Sequence, residues 1–299
     1  SRVNHFFSHD NMGQYWWIMC LDNEQSTGMY GRLYFALSEA PKYLEYWMRQ
    51  RPVSARQLPA SRPTAALELL PSHIKYRICG YLGAADLDGL VCAILSVPHL
   101  AAVGQDALNR RLSWAGKRMI CVGDYAYELM PNLTAADKKR WCTPAEYVGA
   151  NSGRLEFNAN GFADPKELSR PTSYPRAQKY VADRQSGTGG GVELPTIERL
   201  VNPRLPPLKD PVLRNLTRKQ YYRGEGVGGN KCRLALSQVA IIQMSWTSDV
   251  SAHRGLLHRD DAHGRWVNDR MDIVSAEKLG ADWVDMTDTI AEELSQYDW

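Results

Sequence analysis

Long apolar runs are scarce in this 299-residue sequence. The longest, Trp16–Leu21, has six residues, against the about 20 that a membrane-spanning helix needs. The first residues, Ser-Arg-Val-Asn-His-Phe-Phe, lack the apolar stretch of a secretion signal and an initiator Met. That start reads as a trimmed or processed piece of something longer, and the expected location is intracellular, cytoplasmic or nuclear. Charge of one sign is also lacking. With 36 Lys+Arg against 33 Asp+Glu the net charge is +3, too small for a general nucleic-acid or membrane binder. Sixteen Pro and 23 Gly are too few and too scattered for a fibrous chain.

Cysteine motifs are absent as well. The six cysteines, at 20, 79, 92, 121, 142 and 232, include no C-x-x-C pair, and four lie in apolar runs. They read as small buried hydrophobes in a reducing compartment, with no disulfide frame and no zinc knuckle. Two glycosylation sequons, at Asn132 and Asn215, carry no meaning without a secretory signal.

No catalytic set can be read. His253, His258 and His263, with Asp260 and Asp261, form the histidine-rich stretch, but spacings of five place the histidines on different helix faces. A polar loop is the expectation there, with no metal site. Gly224–Cys232 is a near miss for a phosphate loop: Lys231 does not follow the last Gly, and Cys232 stands where a Mg²⁺-binding Ser/Thr is needed. No G-x-S-x-G elbow and no Cys/His dyad is present. Lys138-Lys-Arg140 reads as a solvated face, and nucleic acid is not an expected partner. The chain is therefore expected to be non-enzymatic and to need no cofactor.

What remains is a soluble-type composition, 44% hydrophobic and 23% charged, in a chain longer than the usual single domain. Residues 14–21 read as a buried strand, and Tyr30–Met48 as one or two short helices broken at Pro41. A polar, Pro-punctuated connector spans 49–65. Leu70, Ile74, Ile78 and Leu82 recur at i, i+4, i+8 and i+12 behind Pro71, and Gly83 offers a stop. Asp86 can cap a second helix bearing Leu87, Leu90, Val91, Ile94 and Leu95, ended by Pro98, and Leu100–Leu112 suits a third. Met119–Val122 and Val239–Trp246 read as strands. Half of the prolines fall between 161 and 211, and residues 160–231 hold 13 Lys+Arg against 7 Asp+Glu. Most of 160–210 is therefore expected to be an irregular basic linker.

An internal repeat organises the rest. Trp114-x-x-x-Arg118-Met119-x-x-Val122 returns as Trp266-x-x-x-Arg270-Met271-x-x-Val274. A fainter echo precedes each copy: Ile18-Met-Cys-Leu21-x-x-x-Gln25 and Leu213-Arg-Asn-Leu216-x-x-x-Gln220. The first copy is 43 residues longer between the two motifs, close to the length of the helical segment. The expected fold is α+β: two related α/β units, the first (1–66 and 113–159) interrupted by a helical insertion at 67–112, then the linker at 160–210 and the second unit at 211–299. The two Trp/Arg motifs admit two readings. Trp114 and Trp266 are core anchors with Arg118 and Arg270 salt-bridged at strand ends, or the motifs form a small-ligand pocket from Trp114, Arg118, Asp124, Tyr125, Trp266, Asp269 and Arg270.

The string Leu70-Pro71-x-x-Ile74-x-x-x-Ile78-x-x-Tyr81-Leu82-x-x-x-Asp86-Leu87-x-x-Leu90 resembles an F-box. The wider layout resembles a group of uncharacterised fungal F-box-like proteins with duplicated Trp-x-Gly-Asp-Arg motifs. The similar strings are Trp114–Tyr125, Val212–Tyr222, Met244–Asp249, Trp266–Ile273 and Trp283–Thr287. The resemblance implies an adaptor of a ubiquitin ligase that docks on a Skp-type protein, with Leu70, Pro71, Ile74, Ile78, Leu82, Leu87 and Leu90 in or near the partner surface. The chain departs from the family's pattern in three ways. Ser72 and His73 replace an acidic residue after Leu-Pro, Pro98-His99 replaces a basic, aromatic segment, and Lys117 replaces the Asp that Asp269 keeps in the second copy. The alternative from another class is a structural or surface subunit of a larger assembly, such as a fungal virus particle, located in the virion and keeping the F-box as a relic.

Overall fold

The computed structural model describes residues 15–30, 33–51, 69–123, 126–127, 133–144, 154–157, 162–187, 194–224, 234–247 and 262–295. The chain begins with β1 (Trp16–Cys20), β2 (Gln25–Tyr30), α1 (Leu33–Glu39) and α2 (Pro41–Met48), then α3 (Ser72–Ala85), α4 (Leu87–Ser96) and α5 (Ala101–Leu112). Next come β3 (Lys117–Gly123), β4 (Ala126–Tyr127), α6 (Ala135–Trp141), β5 (Cys142–Pro144), β6 (Arg154–Phe157), α7 (Pro165–Leu168), α8 (Pro175–Gly187) and α9 (Leu194–Val201). The last stretch holds β7 (Pro211–Asn215), β8 (Gln220–Arg223), α10 (Leu236–Gln243), β9 (Ser245–Thr247), β10 (Ala262–His263), β11 (Arg270–Ser275), β12 (Val284–Asp285) and α11 (Thr287–Ser295). The fold is mixed α+β, as its alternating periodicities predict. It divides into two compact units: a β unit of Ser1–Glu45, Gly116–Phe162 and Lys209–Trp299, and a helical unit of Tyr46–Ala115 and Ala163–Leu208.

The β unit is built on a mixed sheet in the order β10-β9-β3-β11-β7-β8-β12, with β1 on the other side of β3 and β2 beyond β1. β3 takes β11, antiparallel, beside its start and β9, parallel, beside its end. Two three-stranded antiparallel groups, β2-β1-β3 and β8-β7-β11, share one register, except that an irregularity between Trp17 and Met19 shifts β1 against β2. Cys20 faces Met119 as Asn215 faces Met271, Ile18 faces Cys121 as Leu213 faces Ile273, and Cys20 faces Gln25 as Asn215 faces Gln220. The turns match too: Glu24 and Lys219, each just before its Gln, have φ of 53° and 54°, and Gly116 and Asn268 have 73° and 60°. Positive φ strains a residue with a Cβ, and Asn tolerates it better than most. Where the groups meet, Arg118 lies directly opposite Arg270. Around that point Gly116 N–H donates to Met271 O at 2.8 Å, and Asn268 N–H donates to Met119 O at 3.1 Å.

Alternation along these strands fills both faces. Met19, Leu21, Ile120 and Val122 pack with Trp141 and Trp246, while Ile18, Cys20, Met119 and Cys121 are buried on the opposite side. Burial pushes the Cys121 thiol up to about 12, against a hydrogen bond with Ser245. The run Val239–Trp246, which reads as one strand, is divided: helix through Gln243, strand from Ser245. Seven of the eight residues of α10 are buried, all but Gln238, so the helix carries no polar stripe and its text has no 3.6 period.

The helical unit corrects the linker expectation. Residues 163–208 contribute α7, α8 and α9, and Tyr174, Ala177, Val181, Ile197 and Val201 share one core with Cys79, Leu90, Val91, Ile94, Leu108 and Leu112. Prolines open these helices rather than preventing them: Pro165 and Pro175 are first residues and Pro195 a second. There a missing N–H costs nothing. The cap of α8 comes from elsewhere in the unit. Asp88 on α4 accepts from the N–H of Arg176 at 2.9 Å and of Ala177 at 3.0 Å. Asp86 caps its own helix through Gly89 N–H at 3.0 Å. Gly83 ends nothing: α3 runs on to Ala85, and Gly83 is buried where a Cβ would touch Leu90 and Ala107. At the far end of α9, Arg51 donates to Val201 O at 2.9 Å and lies 5.0 Å above the Tyr46 ring, a buried cation at a helix C-terminus. Tyr46 and Arg49 donate to the carbonyls of Pro203 and Pro206.

Candidate functional site

Two places gather the residues that the sequence singles out. The first is the meeting of β3 and β11. Asp22, in the turn after β1, accepts from Arg118 Nε at 2.8 Å and pairs with Arg270 Nη1 at 2.9 Å. Asp137, in the first turn of α6, takes the other side of the Arg118 fork at 2.9 and 3.3 Å. Arg118 also lies over the Trp141 ring, 5.7 Å from its centroid. Burial works against both charges here. The hydrogen bonds outweigh it, raising Arg118 and holding Asp137 below the usual carboxylate range with help from Thr134.

The arginines therefore face their own carboxylates. Arg270 also donates to Gly116 O at 3.1 Å. Trp114 and Trp266 are fully buried: Trp114 packs on Trp47 in the helical unit with ring centroids 5.1 Å apart, and Trp266 in the β unit donates its Nε1–H to Gln220 at 3.0 Å. Buried Asp269 accepts from Asn215 at 2.8 Å and Arg218 at 2.7 Å. These contacts match the core-anchor reading, and no side chain of the motif holds a convergent unsatisfied charge. Asp124 and Tyr125 lie outside the described residues, as do His253, His258, Asp260, Asp261 and residues 225–233. Among the described residues no group of three or more His, Cys, Asp or Glu could hold a metal, and no helix is long and apolar enough to cross a membrane.

The second place is α3. Of its 14 residues only Cys79 and Gly83 are buried. Leu70, Ile74 and Ile78 are half-buried and stand outside the core cluster of the unit, and Pro71 is exposed. Leu82 and Leu87 are half-buried but pack against that core, and Leu90 is wholly inside it. Leu90, named as a partner contact by the F-box resemblance, is thus a core residue without surface to offer. The expected partner surface leaves out three exposed neighbours: Leu69 is 68% exposed, Tyr76 48% and Tyr81 73%. Leu69 and Tyr81 were legible, each standing one position before a member of the row, Leu70 and Leu82.

Comparison with models of protein families, with curated proteins and with solved structures finds no match for this chain.

Proposed function

We propose that the chain is a non-enzymatic protein–protein interaction module that docks through α3, an F-box-like adaptor subunit of a ubiquitin ligase. One observation carries the docking: α3 and the two residues before its cap leave Leu69, Leu70, Ile74, Ile78 and Tyr81 outside the described core of their own unit, while α4 and α5 bury their apolar faces in it. An apolar helix face of this kind is what helix-in-groove recognition uses. The Skp-type identity of the partner rests on the Leu70-Pro71 string and its helical spacing. The ligand-pocket reading lacks comparable support, because Asp22 and Asp137 already neutralise Arg118 and Arg270.

We further propose that the β unit arose by duplication of a three-stranded element, with the α3–α5 segment inserted in the first copy. The shared register, the two matched pairs of positive-φ turns and the pairing of Arg118 with Arg270 support this reading.

The test is a titration of the chain against a fungal Skp-type adaptor, beside Leu70→Asp/Ile74→Asp, with the mass of the free protein measured. Both sites are partly exposed and outside the described core cluster, so the variant is expected to keep its circular dichroism. A Kd below about 1 µM that the variant weakens at least about 100-fold is the expected result. No binding by folded wild type would overturn the adaptor role, and a defined oligomeric mass would then point to the assembly-subunit alternative.

A further inference from the structure

We infer that the partner of α3 is an acidic amphipathic helix of another protein, and that it seats against Gly80. This rests on the docking reading above but not on the partner being a Skp-type protein. Successive residues of a helix are 100° apart, so positions four apart form rows. Three adjacent rows make the outer side of α3. Ile74 and Ile78 form an aliphatic row with Leu70 just before the helix, His73, Arg77 and Tyr81 a basic and aromatic one, and Tyr76, Gly80 and Ala84 a row with two small members.

Charge complementarity chooses the partner's sign. The α3 helix contains no Asp or Glu, and His73 and Arg77 are exposed. No ion pair among the described residues uses either of them. The acidic side chains at the C-terminal end, Asp86 and Asp88, are engaged by Arg176. Aliphatic ground beside the exposed Arg77, which no described ion pair uses, calls for a surface with apolar anchors and flanking carboxylates.

Gly80 chooses the partner's shape. Glycine weakens the interior of a helix relative to alanine, so an internal one calls for a reason. Nothing among the described residues supplies it, because a Cβ built on Gly80 would meet none of their heavy atoms within 4 Å. Gly83, one turn away, is filled by Leu90 and Ala107. With Tyr76 at one end and Ala84 at the other, Gly80 forms a shallow trough on an i, i+4 row. A ridge of another helix fits such a trough at close approach.

The test uses the full chain and a defined probe. The probe is a labelled helical peptide with Leu at i, i+4, i+7 and i+11 and Glu between, set beside its Lys-for-Glu counterpart and beside anionic phospholipid vesicles. The acidic peptide is expected to bind at least about tenfold more tightly than the basic one at low salt, and Arg77→Glu to abolish that preference. Gly80→Ala is the deciding variant: it is expected to raise the denaturation midpoint of the free protein while weakening the acidic peptide at least about tenfold. Equal binding of the two peptides, a preference for the basic one, no peptide binding, or binding of vesicles alone would overturn the inference. Gly80→Ala binding as tightly as wild type would overturn the seat at Gly80. Because the adaptor is not used, its failure to bind in the titration above would leave this result readable.

Discussion

Arg214 and Asp272 sit directly opposite each other on β7 and β11, with 8% and 1% of their surfaces exposed. The pair is bidentate, Nε to Oδ1 at 2.9 Å and Nη2 to Oδ2 at 2.8 Å. Arg214 also donates to Lys278 O at 3.1 Å and lies 5.0 Å from the centre of the Trp283 ring. Burying two charges costs several kcal/mol each, which their attraction and hydrogen bonds must offset. Removing one partner strands the other. Asp272→Ile or Arg214→Met alone is therefore expected to cost about 3–5 kcal/mol. At the matching register of the other three-stranded group the sheet carries Met19 opposite Ile120. The double variant Arg214→Met/Asp272→Ile copies that apolar pair into the second group. It leaves one orphan carbonyl, at Lys278, and loses the ring contact, so a net cost of about 1–2 kcal/mol is expected.

The assay is urea denaturation of all four proteins, with amide hydrogen exchange on β7 and β11 to read the β unit separately from the helical one. The double variant should be more stable than either single, with a coupling of at least about 2 kcal/mol. If the cost of the double equals the sum of the singles, the pair is not a mutually dependent buried unit and the reasoning fails.

The trans cap on α8 gives a ranking. Asp88→Asn keeps one of the two acceptor oxygens and is expected to lose less than Asp88→Ala, which should cost about 1 kcal/mol and speed exchange at the first turn of α8. Equal losses in both variants would assign the effect to charge. Acid should weaken the β unit through Asp137. Its folded value is depressed, so its contribution is present above the ordinary carboxylate value of about 4 and is lost as pH falls through the lower folded one. In acid titrations of stability, Asp137→Asn should converge with wild type at the low end. Parallel curves would show that the carboxylate contributes nothing by its charge.

Sequence periodicity located α3 to α5 because each presents one face to a core and another to something different, while β1 and β3, buried on both faces, were legible as short unbroken apolar runs. It failed at α10, where burial on every side removes the contrast, and at 163–208, where prolines signalled irregularity although they sit at helix starts. The cap at Asp88 is 88 residues from Arg176, a distance over which no local pattern reads. The Trp/Arg motif was legible as a repeat but not as an ion-pair junction, since Asp22 and Asp137 lie outside the motif and meet it only through strand pairing and α6. The partner row on α3 was half legible. Its aliphatic members follow the period, but Leu90 follows the same period on the next helix and faces inward.

The helical unit is sewn from two stretches of chain with five β-unit elements, β3 to β6 and α6, encoded between them. During synthesis α3, α4 and α5 leave the ribosome first. Leu90, Val91 and Ile94 must then wait for Tyr174, Val181 and Ile197, about 85 residues later, before their core can close. At about 5–20 residues per second that interval is on the order of 4–17 seconds. Through it the nascent chain carries an apolar helical bundle with one wall missing, and chaperones will compete with the arriving α8 and α9 for that wall.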